Sequence, residues 1–140
     1  MITLYDLTFG DGRRPSPYCW RAKLALKHKG LTWRDEPCGF TEKQKIAFAG
    51  SDTYPVIHDG TKVVKDSWNI AQHLEQTYAD KKLFPDDPGL NFGRFVNGWA
   101  DTTVNPIIGP MVIGDMVGLV RPVDKAYIVE ADRKSTRLNS

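Results

Sequence analysis

The chain has 140 residues, 41% apolar and 26% charged, with a formal net charge of +2. That is the balance of a globular protein of ordinary domain size. The small charge and scattered Lys and Arg argue against a nucleic-acid partner, and no stretch is long and apolar enough to span a bilayer.

Ile2 to Leu7 alternates apolar and polar side chains and ends at Gly10-Asp11-Gly12, which predicts a strand and a glycine loop. Tyr18 to Gly30 predicts a helix, with Trp20, Leu24 and Leu26, and Ala22 and Ala25 between, as apolar positions that can pack on a sheet, and Lys27, His28 and Lys29 in the last turn, where cations suit the dipole. His28 is expected to be a solvated cation. Leu31 to Glu36 supports a second strand, completing a βαβ unit. Thr41 is a candidate cap for a short helix reaching Ala47 or Phe48.

Tyr54 to Lys65 places two apolar runs around Asp59-Gly60, a strong hairpin signal, with Pro55 at the first strand position. His58 is expected on the strand surface. Asp66-Ser67 then opens a helix carrying Ile70, Leu74 and Tyr78 on one face. Ala79 to Gly89 reads as a linker. Phe92, Phe95, Val96 and Trp99 recur at helical spacing and read as core. Pro106 and Pro110 are expected to interrupt the chain after it, and Pro122 to Ala131 to begin another helix.

Two spots carry possible chemistry. Ser16-Pro17-Tyr18-Cys19 has the spacing of a redox Cys-x-x-Cys, with serine in the leading place. That place sits at a helix N-terminus, where unpaired N–H groups favour a negative charge such as a bound thiolate. Simple capping, with serine as N-cap and proline at the first helical position, explains the same residues. Asp66-Ser67 has the same two readings: a cap, or a site where helix-start amides and the Ser67 hydroxyl hold a carboxylate while Asp66 accepts from an amine. No Gly-rich phosphate loop and no His/Cys set with metal-ligand spacing is present, so no metal is expected.

Taken together, the order and spacing of these segments resemble the glutathione transferase family. Ser16-Pro17-Tyr18-Cys19-Trp20-Arg21 is similar to its serine-type activation motif, Tyr54-Pro55-Val56-Ile57-His58-Asp59-Gly60 to its cis-proline hairpin, and Asp66-Ser67-Trp68-Asn69-Ile70-Ala71 to its γ-glutamyl site. Leu83-Phe84-Pro85 resembles the linker to its helical domain. Within the family, the β-etherase-like branch is the nearest in motif.

The resemblance implies an α/β thioredoxin-like N-terminal domain followed by the start of an all-α C-terminal domain. Residues 1–80 would bind glutathione, 81–88 would be the linker, and 89–131 would form part of the helical substrate domain. Glutathione would be the co-substrate and a hydrophobic electrophile, such as an aryl ether, its target. Ser16 would donate to the glutathione sulfur, Tyr54 before Pro55 would pair with the cysteinyl backbone, and Asp66 and Ser67 would hold the γ-glutamyl end. Lys43, Gln44 or Lys45 would reach the glycyl carboxylate. The family also implies a homodimer for the full-length protein, and no membrane.

Two rivals stand beside this reading: a glutaredoxin-like oxidoreductase with Cys19 as nucleophile, and a non-catalytic module of the same fold. With no signal peptide in the sequence, Cys19 and Cys38 are expected to be free thiols in a reducing cytoplasm. Residues 132–140, Asp-Arg-Lys-Ser-Thr-Arg-Leu-Asn-Ser, resemble a translated sequencing adapter and are expected to be non-native. The native chain would then continue past Ala131, and the 140 residues alone would be poorly soluble or inactive.

Overall fold

The computed structural model describes the backbone of residues 1–138 and the side chains of residues 1–134. The first half is a four-stranded mixed sheet in the order β2-β1-β3-β4, formed by β1 (Ile2–Leu7), β2 (Trp33–Cys38), β3 (Val56–Asp59) and β4 (Lys62–Lys65). The crossover α1 (Pro17–His28) joins β1 to its parallel neighbour β2, and α2 (Ser67–Thr77) follows β4. The Asp59-Gly60 signal is realised as the β3–β4 hairpin, with Gly60 at φ 61°. This is the thioredoxin-like arrangement.

One apolar layer lies between sheet and helices: Ile2, Leu4 and Ile57 from the strands, Ala22, Ala25 and Leu26 from α1, Ile70 and Leu74 from α2. Trp20 and Leu24, expected to pack here, are instead 47% and 61% exposed. The alanines between them make the contact, because a small side chain lets α1 approach α2 and the sheet closely. The third inward residue of β1 is Asp6, a fully buried carboxylate paired with Lys23 of α1 and, at 3.4 Å, with Arg14. A second cluster of Cys19, Cys38, Ile46, Tyr54 and Val56 involves the 3-10 helix Lys43–Ala49.

Beyond β4 every regular element among the described residues is helical: α3 (Asp87–Trp99), a π turn (Ala100–Val104), α4 (Asn105–Met116), a 3-10 turn (Pro122–Asp124) and α5 (Lys125–Leu138). α3 begins inside the stretch expected as linker, and Phe92, Phe95, Val96 and Trp99, expected as core, are instead exposed on it, because no described element packs over that face. Asp86 caps the helix by accepting from the Gly89 N–H at 2.7 Å, and Pro88 sits in the first turn, which tolerates it. The prolines do not break the next helix. Pro106 lies in the first turn of α4 and Pro110 inside it. The widened π turn falls just before Pro106, where a ring without an N–H cannot close the usual bond to residue 102. The residues expected as a non-native tail enter α5 as far as Leu138, and Asn139 and Ser140 lie outside the described residues.

Two polar clasps join the halves. Thr41 was expected to cap a helix, but its N–H and hydroxyl both donate to Asp124 Oδ1, at 2.9 and 2.7 Å. Asp124 Oδ2 accepts from Arg121 Nε at 2.8 Å, and Arg121 also reaches Glu42 at 3.0 Å. Beside them Phe9 and Phe40 pack against Val120 and Ile128. At the other clasp Arg21 of α1 pairs with Asp101 at 2.8 Å and donates to Asn97 at 2.8 Å.

Lys29, expected among the dipole-facing cations, is buried instead. Its ammonium meets Glu75 at 2.6 Å and donates to the Tyr78 carbonyl at 2.7 Å. Glu75 in turn accepts from the N–H groups of Leu83 and Phe84. This knot ties the end of α1 to the connection between the two halves. His28 stays exposed, as expected. Burial raises the Glu75 carboxyl, but the Leu83 N–H and Lys29 more than offset it, holding the group below its ordinary value of 4.5. Its folded-state stabilisation is therefore complete above pH 4.5 and lost as pH falls through the lowered value. Lys29→Met should cost about 3 kcal/mol, read as a lower urea midpoint, since it strips a buried pair of one partner. The variant should also show a shallower loss of stability in that acid window.

Candidate functional site

Strand direction gathers the predicted residues. β1 and β3 run antiparallel, so the end of β1 lies beside the start of β3, where Tyr5 pairs with Val56. Val56 also pairs with Lys65, the last residue of β4. The N-termini of α1 and α2 both follow at this end of the sheet, and with them Ser16, Tyr54, Pro55, Asp66 and Ser67.

Ser16 is the N-cap of α1. It is 8% exposed, and its Oγ accepts from the Cys19 N–H at 3.2 Å. That bond uses a lone pair and leaves the hydroxyl its proton to donate, with the Cys19 sulfur within its reach: a hydrogen bond from Ser16 pulls the Cys19 thiol down against the larger rise from burial. Ser16 lines a cleft of about 610 Å³, with Leu7 and Tyr18 on one side and Asn105, Ile108 and Val112 of α4 on the other. The capping reading and the chemical one therefore describe the same atom, used at different sites on it.

Tyr54–Pro55 is a cis peptide. It lies just ahead of β3, and the Pro55 carbonyl accepts from the Asp66 N–H at 3.3 Å, which ties the two predicted segments together. Asp66 is the cap of α2, with Oδ1 accepting from Trp68 and Asn69 N–H groups at 3.0 Å each. Two of the helix-start amides expected to meet a carboxylate are thus already engaged. Among the described residues the Ser67 N–H and hydroxyl have no such partner, on a residue 4% exposed. Asp66 itself sits at φ 74°, an uncommon conformation for a non-glycine residue, held at the edge of the site. Ser67 lines a second depression, of about 380 Å³, with Arg21, Trp68 and Phe84, and not the cleft that Ser16 lines.

Cys19 is fully buried, and burial first of all pushes its thiol up to about 12. It would be protonated and shielded at neutral pH, the opposite of a reactive cysteine. Cys38 is likewise buried, with its pKa raised mainly by burial. Both thiols are free.

The three candidates for a carboxylate contact separate on geometry. Lys45 is engaged by the Pro37 carbonyl at 2.9 Å and by Glu36 and Glu42 at 3.5 Å. Lys43 instead lies over the Tyr54 ring at 4.7 Å and the Tyr127 ring at 5.9 Å, with burial lowering its pKa. Gln44 is exposed. Among the described residues no group of His, Cys, Asp and Glu could hold a metal, and no helix is long and apolar enough to cross a membrane.

Sequence reasoning missed Asn105, whose side-chain amide donates to the Tyr18 hydroxyl at 3.1 Å, and the Arg21–Asp101 pair. Neither has a local signal, because the partners are about 80 residues apart in the chain.

Comparison with known proteins follows the same outline. Residues 15–77 match the family described as "Glutathione S-transferase, N-terminal domain". Over those residues the chain is similar to the glutathione S-transferase family. The chain is 24% identical over 127 residues to glutathione S-transferase U22 of Arabidopsis thaliana, covering 87% of this chain and 51% of that one. With glutathione S-transferase omega-1 of Mus musculus it shares 26% over 119 residues, 79% of this chain and 45% of that one. The chain spans about half the length of the curated relatives it matches. Among solved structures it is similar to glutathione transferase GSTFuA3 of Phanerochaete chrysosporium, at 25% identity and a TM-score of 0.82, covering 99% of this chain and 62% of that one. It is also similar in fold to CsGST63524 of Ceriporiopsis subvermispora, solved in complex with glutathione, at 21% identity and a TM-score of 0.79, covering 96% and 59%.

The buried Cys19 of this thioredoxin-like half should resist iodoacetamide at pH 8 in the native protein and react only after denaturation. Mass spectrometry of timed samples checks this. Rapid native labelling would restore Cys19 as a nucleophile.

Proposed function

We propose that the protein is a serine-type glutathione transferase that activates the glutathione thiol for attack on a hydrophobic electrophile. The observation that carries this is Ser16: a buried cap whose oxygen accepts from a backbone N–H and whose hydroxyl can donate to sulfur, lining a cleft with apolar α4 opposite. It supports a hydroxyl that donates to sulfur and stabilises the thiolate.

The magnitudes are sufficient. A free thiol near pKa 8.5 is a few per cent ionised at neutral pH, and lowering it by about two units takes about 2.7 kcal/mol. A hydrogen bond to a charged group supplies about 1.5–3 kcal/mol, and a helix N-terminus about 0.3–1 kcal/mol. The thiol proton leaves to solvent, and no metal or general base is needed.

Glutathione would lie across the sheet end. The Tyr54 backbone would pair with the cysteinyl unit, and the free Ser67 N–H and hydroxyl would take the γ-glutamyl carboxylate. The exposed Asp66 carboxylate would accept from its amine. Of the three candidates for the glycyl carboxylate, Lys43 fits best, since Lys45 is already engaged. The electrophile would enter beside Ile108 and Val112, and aryl ethers of the β-etherase-like branch are the class we favour. Phe95 and Trp99 of α3, 69% and 52% exposed, support burial in a homodimer of the full-length protein. Free buried thiols suit a cytoplasmic site of action.

Ser16→Ala in the full-length protein should raise the pKa of bound glutathione by about 1–2 units, read from thiolate absorbance, and lower turnover by about 10- to 100-fold. Cys19→Ser should keep most of the activity. The reverse pattern would favour the oxidoreductase reading. A folded protein not retained on immobilised glutathione would favour the non-catalytic one.

A further inference from the structure

Asp6 stands in the inward row of β1 after Ile2 and Leu4, where an apolar side chain would continue the layer. It is fully buried, and among the described residues neither of its oxygens has a hydrogen bond of good geometry. Two cations meet it by charge: the Lys23 ammonium of α1, and Arg14 Nε at 3.4 Å. A buried pair of this kind adds little net stability over a well-packed apolar residue. What it does supply is a fixed place for Arg14, two residues before Ser16.

Arg14 is tied on its other side as well. Its carbonyl accepts from Trp20 Nε1 at 2.9 Å, and the Lys23 ammonium lies over the Trp20 ring, 5.1 Å from its centroid. Asp6, Arg14, Trp20 and Lys23 thus close a ring through strand, loop and helix. Between Arg14 and the first turn of α1 the chain reads Pro15-Ser16-Pro17. Each proline ring fixes its own φ at about −65°. Ser16, at φ −76° and ψ 117°, is therefore held between two stiff residues, and a shift of Arg14 is passed on to it. Its hydroxyl has two sulfurs to serve: that of Cys19, within its reach, and one bound in the cleft that Pro15 and Ser16 line. Small displacements decide between them, and a misplacement of about 1 Å can cost about a hundredfold in rate.

We propose that Arg14 is a positioning residue for the Ser16 hydroxyl, anchored by Asp6 in the core and by Trp20 at the surface. This rests on the glutathione reading above and deepens it: the helix start supplies the donor, and the buried ion pair aims it at the glutathione sulfur. Arg14 acts through Ser16 and not on the ligand itself. The residues assigned to the backbone and ends of glutathione, Lys43, Tyr54, Asp66 and Ser67, stand outside the ring, so affinity should change little.

The test uses the full-length protein with glutathione bound and reads thiolate absorbance against pH. Arg14→Met leaves Asp6 paired with Lys23. It should raise the pKa of bound glutathione by about one unit, which is about a tenfold loss of thiolate at neutral pH. It should lower kcat by a similar factor while KM for glutathione stays within about twofold. In a Ser16→Ala background Arg14→Met should move the pKa no further, because the hydroxyl it positions is gone. Should Arg14→Met not fold, Trp20→Phe takes its place: it removes the surface tie from a half-exposed side chain and should shift the pKa in the same direction by a smaller amount. A folded variant with an unmoved pKa would reduce the ring to packing and overturn the proposal. So would an equal shift with and without Ser16, the mark of a bare charge. A wild-type protein with no thiolate signal from glutathione would remove the reading beneath the proposal, whereas a normal wild-type signal untouched by these variants removes the proposal alone.

Discussion

The direction of four strands decides where everything else lies. A parallel β1–β2 pair requires a crossover helix, and that helix must start where β1 ends. An antiparallel β1–β3–β4 run returns the chain to the same end before α2 begins. Two helix N-termini therefore share one end of one sheet. Each presents N–H groups that the helix itself cannot satisfy, and together they make a positively polarised rim at that end of the sheet.

That rim explains why capping and chemistry never separated cleanly in the sequence. Ser16 and Asp66 are both ordinary caps by geometry. A cap consumes acceptor capacity only. The hydroxyl of Ser16 keeps its proton, and the carboxylate of Asp66 spends one oxygen on two amides. The fold needs these residues to close its helices, and what they have left over is what a ligand can use. A hydroxyl-to-methyl change at such a position touches both roles, so thiolate spectroscopy separates them where stability measurements do not.

The thioredoxin-like half was legible because its signals are local. Ile2–Leu7 alternates, Asp59-Gly60 turns, and Ser16-Pro17 and Asp66-Ser67 start helices within three residues of their own caps. Errors arose where a residue's partner is remote. Lys29 looked like a last-turn cation serving the dipole until Glu75 and the Tyr78 carbonyl closed over it. Thr41 looked like a cap until Asp124, 83 residues later, took both its donors. Of the apolar positions of α1, closeness of approach chose Ala22, Ala25 and Leu26 and left Trp20 and Leu24 exposed. Pro110 suggested a break, yet the bond it forgoes is local, and α4 continues through it. Tyr18 and Asn105 could not be paired at all without the fold.

The helical half does more than roof the cleft. Arg21–Asp101 fastens α1 to the π turn on one side, and Thr41–Asp124–Arg121 fastens the β2 exit to the start of α5 on the other. Between these clasps α4 is held over Ser16 with Ile108 and Val112 facing it. These side chains that α4 sets opposite Ser16 are apolar, and a hydrogen bond made beside them counts for more than the same bond in bulk solvent.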